Sequence, residues 1–297
     1  MTFPCSDAAR SRGDDPAGTA STVRAFLLLE HDGAWGTDAL RDARLPEGLG
    51  PILARRCAEA GVRPLLIRRG ERRSDDTTGH RVYAAHTDAS HPRLETAVLD
   101  DLRDLLHTDL SMLRQLGSLG WEPVAEPLFA VCTHGKHDRC CAVRGRPVAA
   151  ALRTTEPDCG WEVSHLGGDR FAANLLVLPH GLYYGGIEAD EVADLTATHR
   201  RGELNLDRLR GRSCWPMPVQ YAEIALRREL GVTGLDAVRL AGVRRADSAT
   251  HVVTFEVTDR GEHTVEVHST RSAPRQLTCG AATAQPMPVH RATVLSG

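Results

Sequence analysis

Residues 127–141 read PLFAVCTHGKHDRCC and hold three of the eight cysteines of the chain. The apolar run that opens this stretch predicts a buried strand ending at Cys132. A polar loop follows, and the segment 142–152, rich in alanine, valine and leucine, predicts a helix. Cysteines at a helix N-terminus feel the positive end of the helix dipole, which favours the thiolate that binds metals. The stretch therefore predicts a metal or redox site at a strand–helix junction.

A second informative stretch, residues 164–174, reads SHLGGDRFAAN. His165 is predicted to end a strand, and the glycine pair after it allows the backbone to fold tightly. Asp169 lies four residues beyond His165, so a turn can bring both side chains to one point. Two soft sulfur atoms, one imidazole and one oxygen can bind zinc or an iron–sulfur cluster. Spacing alone does not choose between the two.

The elements around these stretches repeat one order, strand–helix–strands–helix, which is typical of the thioredoxin type. The first copy is predicted at residues 23–30 (strand), 51–60 (helix), 63–68 and 81–85 (strands) and 94–116 (helix), with a charged loop at 70–79. The second copy is predicted at 127–131 (strand), 142–152 (helix), 160–164, 173–178 and 181–186 (strands) and 187–201 (helix). The fold class predicted is α/β (α+β), with two thioredoxin-like domains in tandem.

The two ends of the chain are predicted to lie outside these copies. The first 21 residues are polar and are expected to form a loose lead-in, and the residues from 281 onward are expected to be loose as well. A helix at 216–230 and alternating strands at 237–240, 251–257 and 263–268 predict a small C-terminal α+β appendage. The predicted divisions are 1–21 (lead-in), 22–120 and 121–212 (thioredoxin-like domains) and 213–297 (C-terminal region).

Composition excludes several classes of protein. Of the 297 residues, 41% are hydrophobic and 25% charged, values typical of a globular protein, and the net charge of −3 gives no reason to expect a nucleic-acid partner. No stretch approaches the roughly 20 apolar residues that cross a bilayer, and the N-terminus lacks the pattern of a signal peptide. We therefore expect a cytoplasmic protein without a membrane partner. In such a reducing compartment, eight cysteines are thiols, metal ligands or redox groups rather than a disulfide scaffold.

The two stretches resemble the sucrase/ferredoxin-like family, a group of thioredoxin-like [2Fe–2S] ferredoxins with the pattern C-x-H-G-x-R-D-x-x-C followed by H-x-G-G-H-x-x-A-x-N. The matching residues are Cys132, His134, Gly135, Asp138 and Cys141, then His165, Gly167, Gly168, Ala172 and Asn174. The resemblance is strongest over 127–187 and weaker in the N-terminal third, where Cys5-Ser6-Asp7 and Trp35-Gly36 are similar. It implies a cluster held by two cysteines on one iron and two histidines on the other.

Carried over position by position, the resemblance makes Cys132, Cys141 and His165 cluster ligands. The sequence departs from the pattern at the second histidine, where Asp169 stands. The fourth ligand is then Asp169, or Cys140 or another nearby group, or the site holds no cluster. The predicted cofactor-binding set is Cys132, Cys141, His165 and Asp169, with a [2Fe–2S] cluster as cofactor and zinc as the alternative. Loop histidines such as His134 are more often hydrogen-bonding residues than ligands.

This set favours a one-electron carrier that exchanges electrons with a reductase or an oxidoreductase as its redox partner protein. Such a carrier has no catalytic residues of its own, and the loop 136–139 would control potential and docking. One alternative is a thiol-dependent enzyme of thioredoxin type that uses Cys132 or the Cys140–Cys141 pair, although a C-x-x-C at the strand–helix junction is missing. Another is a zinc-stabilised binding protein. The cysteines outside the cluster, Cys57, Cys159, Cys214 and Cys279, are interpreted as small buried apolar residues.

Overall fold

The computed structural model describes residues 3–70 and 79–295, so nearly all of the predicted charged loop at 70–79 lies outside the described residues. The helices are α1 (Cys5–Ser11), α2 (Ala39–Asp42), α3 (Leu49–Ala60), α4 (Ser111–Gln115), α5 (Arg139–Thr155), α6 (Val192–Arg200) and α7 (Met217–Leu230). Within the described residues no helix combines the length and the apolar character needed to span a membrane.

The strands form two sheets. The larger sheet contains β1 (Ala25–Glu30), β2 (Arg63–Arg68), β3 (His80–His86), β4 (Arg93–Leu99), β5 (Glu122–Pro123), β6 (Leu128–Cys132), β7 (Gly160–Val163), β8 (Asn174–Leu178), β9 (Leu182–Gly185) and β10 (Leu209–Arg212). The smaller sheet contains β11 (Val238–Arg245), β12 (Thr250–Val257), β13 (Gly261–Arg271) and β14 (Pro288–Leu295). Their order is β10-β9-β8-β6-β7-β2-β1-β3-β4-β5 in the first and β11-β12-β13-β14 in the second.

The larger sheet uses one strand pattern twice. In the second half β6 and β7 are parallel, with α5 between them in the chain, while β8 is antiparallel to β6 and β9 to β8. In the first half β1 and β2 are parallel across α3, β3 is antiparallel to β1, and β4 to β3. This order and these directions are those of the thioredoxin type. The predicted tandem thioredoxin-like fold is confirmed, whereas the exact domain boundaries stay a prediction.

The two halves join through their neighbouring edges. Strand β2 pairs antiparallel with β7, with Ile67 opposite Val163 and Arg68 opposite Glu162. The Arg68 guanidinium reaches the Glu162 carboxylate at 2.9 Å, and Ile67 and Val163 are fully buried in one apolar cluster that draws residues from both halves. Since the β2–β7 pairing satisfies backbone groups on both edges, the halves share one continuous sheet.

The C-terminal region packs its helix onto its own sheet. Helix α7 contacts strands β12, β13 and β14, and its apolar face lies in a cluster with Val253, Phe255 and Val265. On another side of the same helix, fully buried Glu223 accepts hydrogen bonds from the Nε atoms of Arg212 on β10 and Arg227. A charged network thus ties this region to the edge of the large sheet.

The predicted helix at 94–116 is wrong over its first part. Residues 93–99 form β4, which pairs along its whole length with β3, from His86 opposite Arg93 to His80 opposite Leu99. Only the later leucines lie in helical turns, a short 3₁₀ helix at Leu102–Leu106 and α4. The apolar spacing of the segment is helical, but its first residues form backbone hydrogen bonds with β3 and are therefore part of the sheet.

Both chain ends are more ordered than predicted. The expected loose lead-in contains α1, whose Cys5 and Ala9 are four residues apart on one helix face and are both buried. The expected loose tail contains β14, which pairs with β13 over eight residue positions. The prediction rested on polar composition at the first end and on proline and alanine content at the second. Helix α1 buries Cys5 and Ala9 on one face, and in β14 every second residue from His290 to Val294 is buried or half-buried, so each segment contacts the body of the protein through few positions.

Candidate metal centre

The two thiols predicted as ligands are brought together by the packing of α5 against β6. Strand β6 ends at Cys132, and Asp138 caps α5 by accepting a hydrogen bond from the backbone N–H of Cys140 at 2.8 Å. Gly145 lies so close to the strand that a Cβ atom there would stand 2.1 Å from the Cys132 carbonyl oxygen. The close approach of helix to strand places Cys132 and Cys141 side by side, each only 1% exposed.

The loop after β7 supplies the nitrogen and oxygen donors. Gly167 and Gly168 both adopt positive φ angles, 87° and 78°, which L side chains rarely adopt. The tight turn that results brings His165 Nδ1 to 3.2 Å from Asp169 Oδ1. The turn predicted from the sequence is therefore present, and both side chains lie near one point.

The backbone of His165 is fixed on both sides. Its N–H donates to Nδ1 of His134 at 3.2 Å, and its carbonyl accepts from the Arg63 guanidinium at 2.8 Å. His134 in turn donates from Nε2 to the Gly36 carbonyl at 2.9 Å. Both ring nitrogens of His134 are thus committed to backbone groups, so His134 is a hydrogen-bonding residue that positions His165 rather than a ligand.

The predicted ligands converge. The sulfur atoms of Cys132 and Cys141 and one ring nitrogen of His165 all lie within 4.8 Å of one another. A second set, formed by His137, His165 and Asp169, meets the same condition. Asp169 links the two sets, because its Oδ1 also lies 3.5 Å from the Cys141 sulfur. The four side chains of the predicted set thus lie in two neighbouring groups that share His165.

Two of the alternatives for the fourth position can be compared directly. Asp169 is buried and approaches both Cys141 and His165. The Cys140 thiol instead groups with Cys5 and Cys279. A further candidate is His137, whose exposed ring stacks on that of His165 with ring centroids 3.7 Å apart. Burial and proximity to both a sulfur and the imidazole favour Asp169.

One thiol of the pair is favoured as a thiolate and hydrogen-bonds to the other. A hydrogen bond from the Cys141 thiol, helped by His165, lowers the pKa of Cys132 well below its usual value in spite of burial. The same hydrogen bond, together with burial, raises the pKa of Cys141. Burial also raises the pKa of Asp169 above that of an ordinary carboxyl group. Since thiolate is the form that binds metals, the lowered pKa of Cys132 favours its role as a ligand.

One buried residue that supports the site was missed by the sequence analysis. Arg210 on β10 is 1% exposed and donates to the Gly167 carbonyl at 2.9 Å and to Asn174 Oδ1 at 2.7 Å. A Cβ at Gly168 would stand 2.2 Å from its guanidinium, so the second glycine is needed for space as well as for its φ angle. Burial lowers the pKa of Arg210 to about 10, which leaves it cationic at neutral pH. No motif in the sequence signals this role.

The donor set fits the [2Fe–2S] cluster that the family resemblance implies. It offers two soft sulfur donors on one side and imidazole and carboxylate donors on the other, the mixed arrangement known from two-cysteine, two-histidine clusters. His165 Nδ1 is buried and forms no aligned hydrogen bond, so a nitrogen donor is free to ligate. The sulfur side is buried, whereas the His165 side chain is 22% exposed.

Comparison with known proteins supports the resemblance. The sequence profile described as Sucrase/ferredoxin-like matches residues 16–211, about two thirds of the chain and parts of both halves of the large sheet. A solved structure that is similar is a cysteine-to-serine variant of the thioredoxin-like [2Fe–2S] ferredoxin from Aquifex aeolicus, with 18% sequence identity and a TM-score of 0.25. The match covers 28% of this chain and 97% of that one, and at this TM-score it carries no weight for the site. No curated protein matches the chain.

Proposed function

Because this chain belongs to the sucrase/ferredoxin-like family, we propose that it is a one-electron carrier that holds a [2Fe–2S] cluster. Cys132 and Cys141 would hold one iron, and His165 and Asp169 the other. Such a cluster supplies reversible one-electron transfer when bound. The observation that carries the proposal is the convergence of two thiols and an imidazole from separate elements within 4.8 Å of one another.

The residues around the donors support this role. The hydrogen bonds to His134 and Arg63 fix the His165 backbone, and those from Arg210 fix the loop that carries Asp169. A carrier benefits from such rigidity because donors that do not move need little reorganisation when the charge of the site changes. The buried thiols are shielded from water, which protects them from oxidation.

The partner would dock on the face where the imidazole reaches the surface. Lys136 and His137 are exposed on the loop before α5, and the His137 ring stacks on that of His165. The positive charge of Lys136, next to His137 in the chain, favours an acidic patch on the partner. We therefore propose a redox partner protein, a reductase or an oxidoreductase, whose docking surface is acidic.

Burial argues against the thiol-dependent enzyme. The sulfur atoms of Cys132 and Cys141 are almost inaccessible, whereas thiol–disulfide exchange requires that the attacking sulfur reach its substrate. A purely structural zinc site uses the same donors and is the second outcome that an experiment must separate.

Metal analysis of protein purified without oxygen tests the proposal. We expect iron and acid-labile sulfide in equal amounts, a red-brown colour and an electron paramagnetic resonance signal after reduction with dithionite. Cys132→Ser and Cys141→Ser should lose the iron and the colour. The matched control is Cys57→Ser, a cysteine buried on α3 in the apolar core of the other half.

Three results would overturn the assignment. Colourless protein that holds zinc at Cys132 and Cys141 would identify a structural zinc site. Colourless, metal-free protein with a fast-reacting Cys132 thiol would identify a thiol-dependent enzyme. Iron that survives in both cysteine variants would show that other residues hold it.

A further inference from the structure

A second group of thiols lies at the start of α5. Cys5, Cys140, Cys279 and Asp138 each offer one atom, and these atoms all lie within 4.8 Å of one another. All four residues are buried, with exposures of 0%, 5%, 8% and 3%. The resemblance stated above carries no ligand at any of these four positions.

The distances among these atoms fit one tetrahedral metal ion. The Cys140 and Cys279 sulfurs are 3.3 Å apart, the Cys279 and Cys5 sulfurs 3.6 Å, and the Cys5 sulfur is 3.8 Å from Asp138 Oδ1. Zn–S bonds of about 2.3 Å at tetrahedral angles place sulfur ligands roughly 3.8 Å apart. The sulfur atoms thus stand near the spacing that a zinc ion requires and far beyond the length of a disulfide bond, about 2.05 Å.

Asp138 fixes the backbone positions of two of the cysteines. Its Oδ1 accepts from the Cys140 N–H at 2.8 Å and its Oδ2 from the Cys279 N–H at 2.7 Å. Each carboxylate oxygen has two acceptor positions, and the second faces the Cys5 thiol, which donates to Oδ1 at 3.8 Å and Oδ2 at 3.9 Å. Loss of the Cys5 proton on metal binding would leave that position for the metal. The carboxylate therefore aligns two of the cysteines and can itself complete the site.

The ligands come from three distant parts of the chain. Cys5 lies on α1, Cys140 on α5, and Cys279 in the segment between β13 and β14. A surface cavity lined by Pro4, Val143, Cys140 and Cys279 gives an ion access to two of the thiols. A metal bound here would fasten both chain ends to the helix that carries the first site.

We propose that Cys5, Cys140, Cys279 and Asp138 form a second metal site, which binds one structural zinc ion. On binding, the three thiols lose their protons to solvent, and three thiolates with one carboxylate complete a closed four-coordinate shell. Soft thiolate donors select zinc over hard cations such as magnesium or calcium. The adjacent residues Cys140 and Cys141 would then serve two different centres, which accounts for a cysteine pair at this position.

The two sites can be separated by measuring zinc and iron in the same samples. The full chain, purified under reducing conditions from cells supplied with both metals, should hold about one zinc ion in addition to its iron. Cys279→Ser should lower the zinc content by about tenfold or more while iron and colour remain. Cys132→Ser should do the reverse, and Cys57→Ser should change neither metal.

A second readout guards against a variant that fails to fold. Replacement of the zinc in the wild-type protein by Co²⁺ should give thiolate-to-cobalt charge-transfer absorption and tetrahedral d–d bands. Cys5→Ser, a change on the N-terminal helix, should weaken this absorption by about a third, because one of three thiolates is lost. Zinc-free wild-type protein after incubation with Zn²⁺, or zinc fully retained in both Cys279→Ser and Cys5→Ser, would overturn the proposal. A Cys140–Cys279 disulfide found by mass spectrometry in place of zinc would overturn it as well. None of these outcomes depends on the iron content.

Discussion

His134 in the second half of the large sheet donates its Nε2–H to the backbone carbonyl of Gly36 in the first half, at 2.9 Å. The same ring accepts the N–H of His165, so a contact between the halves reaches a candidate ligand through one side chain. The indole of Trp35 meets the His134 ring edge to face, with centroids 5.7 Å apart. The first half has no thiols at the corresponding strand end, and these contacts show that it supports the site of the second.

His134→Ala should destabilise the protein by about 1–3 kcal/mol, because two buried backbone groups lose their hydrogen-bond partner. It should also weaken iron retention, since the His165 backbone is then held on one side only. Urea unfolding and iron content measure the two effects. His91→Ala, which removes a side chain that is 91% exposed, is the control and should shift stability by about 0.5 kcal/mol or less. Equal effects of both substitutions would contradict the positioning role.

Gly145→Ala should lower stability and metal content, although helix propensity alone predicts a gain of roughly 1 kcal/mol. The new Cβ would stand 2.1 Å from the Cys132 carbonyl oxygen, so α5 must move away from β6 and carry Cys141 with it. Ala150→Gly, at an exposed position of the same helix, is the control; it should cost about 1 kcal/mol and leave the metal content unchanged. A more stable Gly145→Ala protein with full iron would refute the close contact.

Asp169→His should raise the reduction potential, by on the order of 100 mV, because a neutral imidazole replaces a negatively charged ligand. Protein-film voltammetry or a redox titration followed by visible absorption measures the change. Asp194→His makes the same exchange at an exposed position of α6 and should leave the potential nearly unchanged. An unaltered potential and spectrum in the Asp169 variant would exclude this carboxylate as a ligand and direct attention to His137.

Glu223→Ala should destabilise the fold by about 3–5 kcal/mol. The Glu223 carboxylate is the shared acceptor of Arg212 and Arg227, and its removal leaves two buried guanidinium groups without their counter-charge. Chemical unfolding measures the loss. Glu229→Ala, at an exposed position of the same helix, should change stability by about 0.5 kcal/mol or less. Similar values for the two variants would mean that the network adds little.

Stability should fall as pH drops from about 6.5 to about 4, in part because of His199. Burial lowers its pKa to about 4, as it does for the neighbouring His180. An unfolded histidine titrates near 6.5, so the unfolded chain takes up a proton in this window that the folded chain refuses. The cost approaches about 1.4 kcal/mol per pH unit for His199.

Unfolding of the His199→Gln variant across the same pH range tests this assignment. The variant should lose less stability on acidification than the wild-type protein does. His91→Gln replaces a side chain that is 91% exposed and should follow the wild-type curve. Parallel curves for the His199 variant and the wild type would disprove a contribution from this ring.

Local patterns were enough to predict the repeated strand–helix order, but not every element. The apolar residues of 94–116 follow a helical spacing, yet residues 93–99 form β4 because β3 is available to pair with them. That partner lies in the preceding strand, and no periodicity within the segment encodes it. Similarly, β14 is stabilised by β13 rather than by its own composition.

The site was predictable where its donors lie in short motifs. Cys132, Cys141 and His165 lie within two compact stretches, and a strand end, a helix start and a turn suffice to bring them together. Two other contacts were not predictable because their partners are distant in the chain. Arg210 and Asn174 are 36 positions apart, and Cys5 and Cys279 are 274 positions apart. The sequence around Cys279 indicates only a small buried apolar residue, because its sulfur neighbours Cys5 and Cys140 are brought to it by tertiary folding.

The antiparallel pairing of β2 with β7 has a consequence for any attempt to produce one half of the large sheet alone. A chain cut between the halves would expose the edge of β2 or of β7, and an unpaired strand edge is a template for aggregation. The first half, which has no thiol at the end of β1, therefore also protects the edge of the half that carries the candidate ligands.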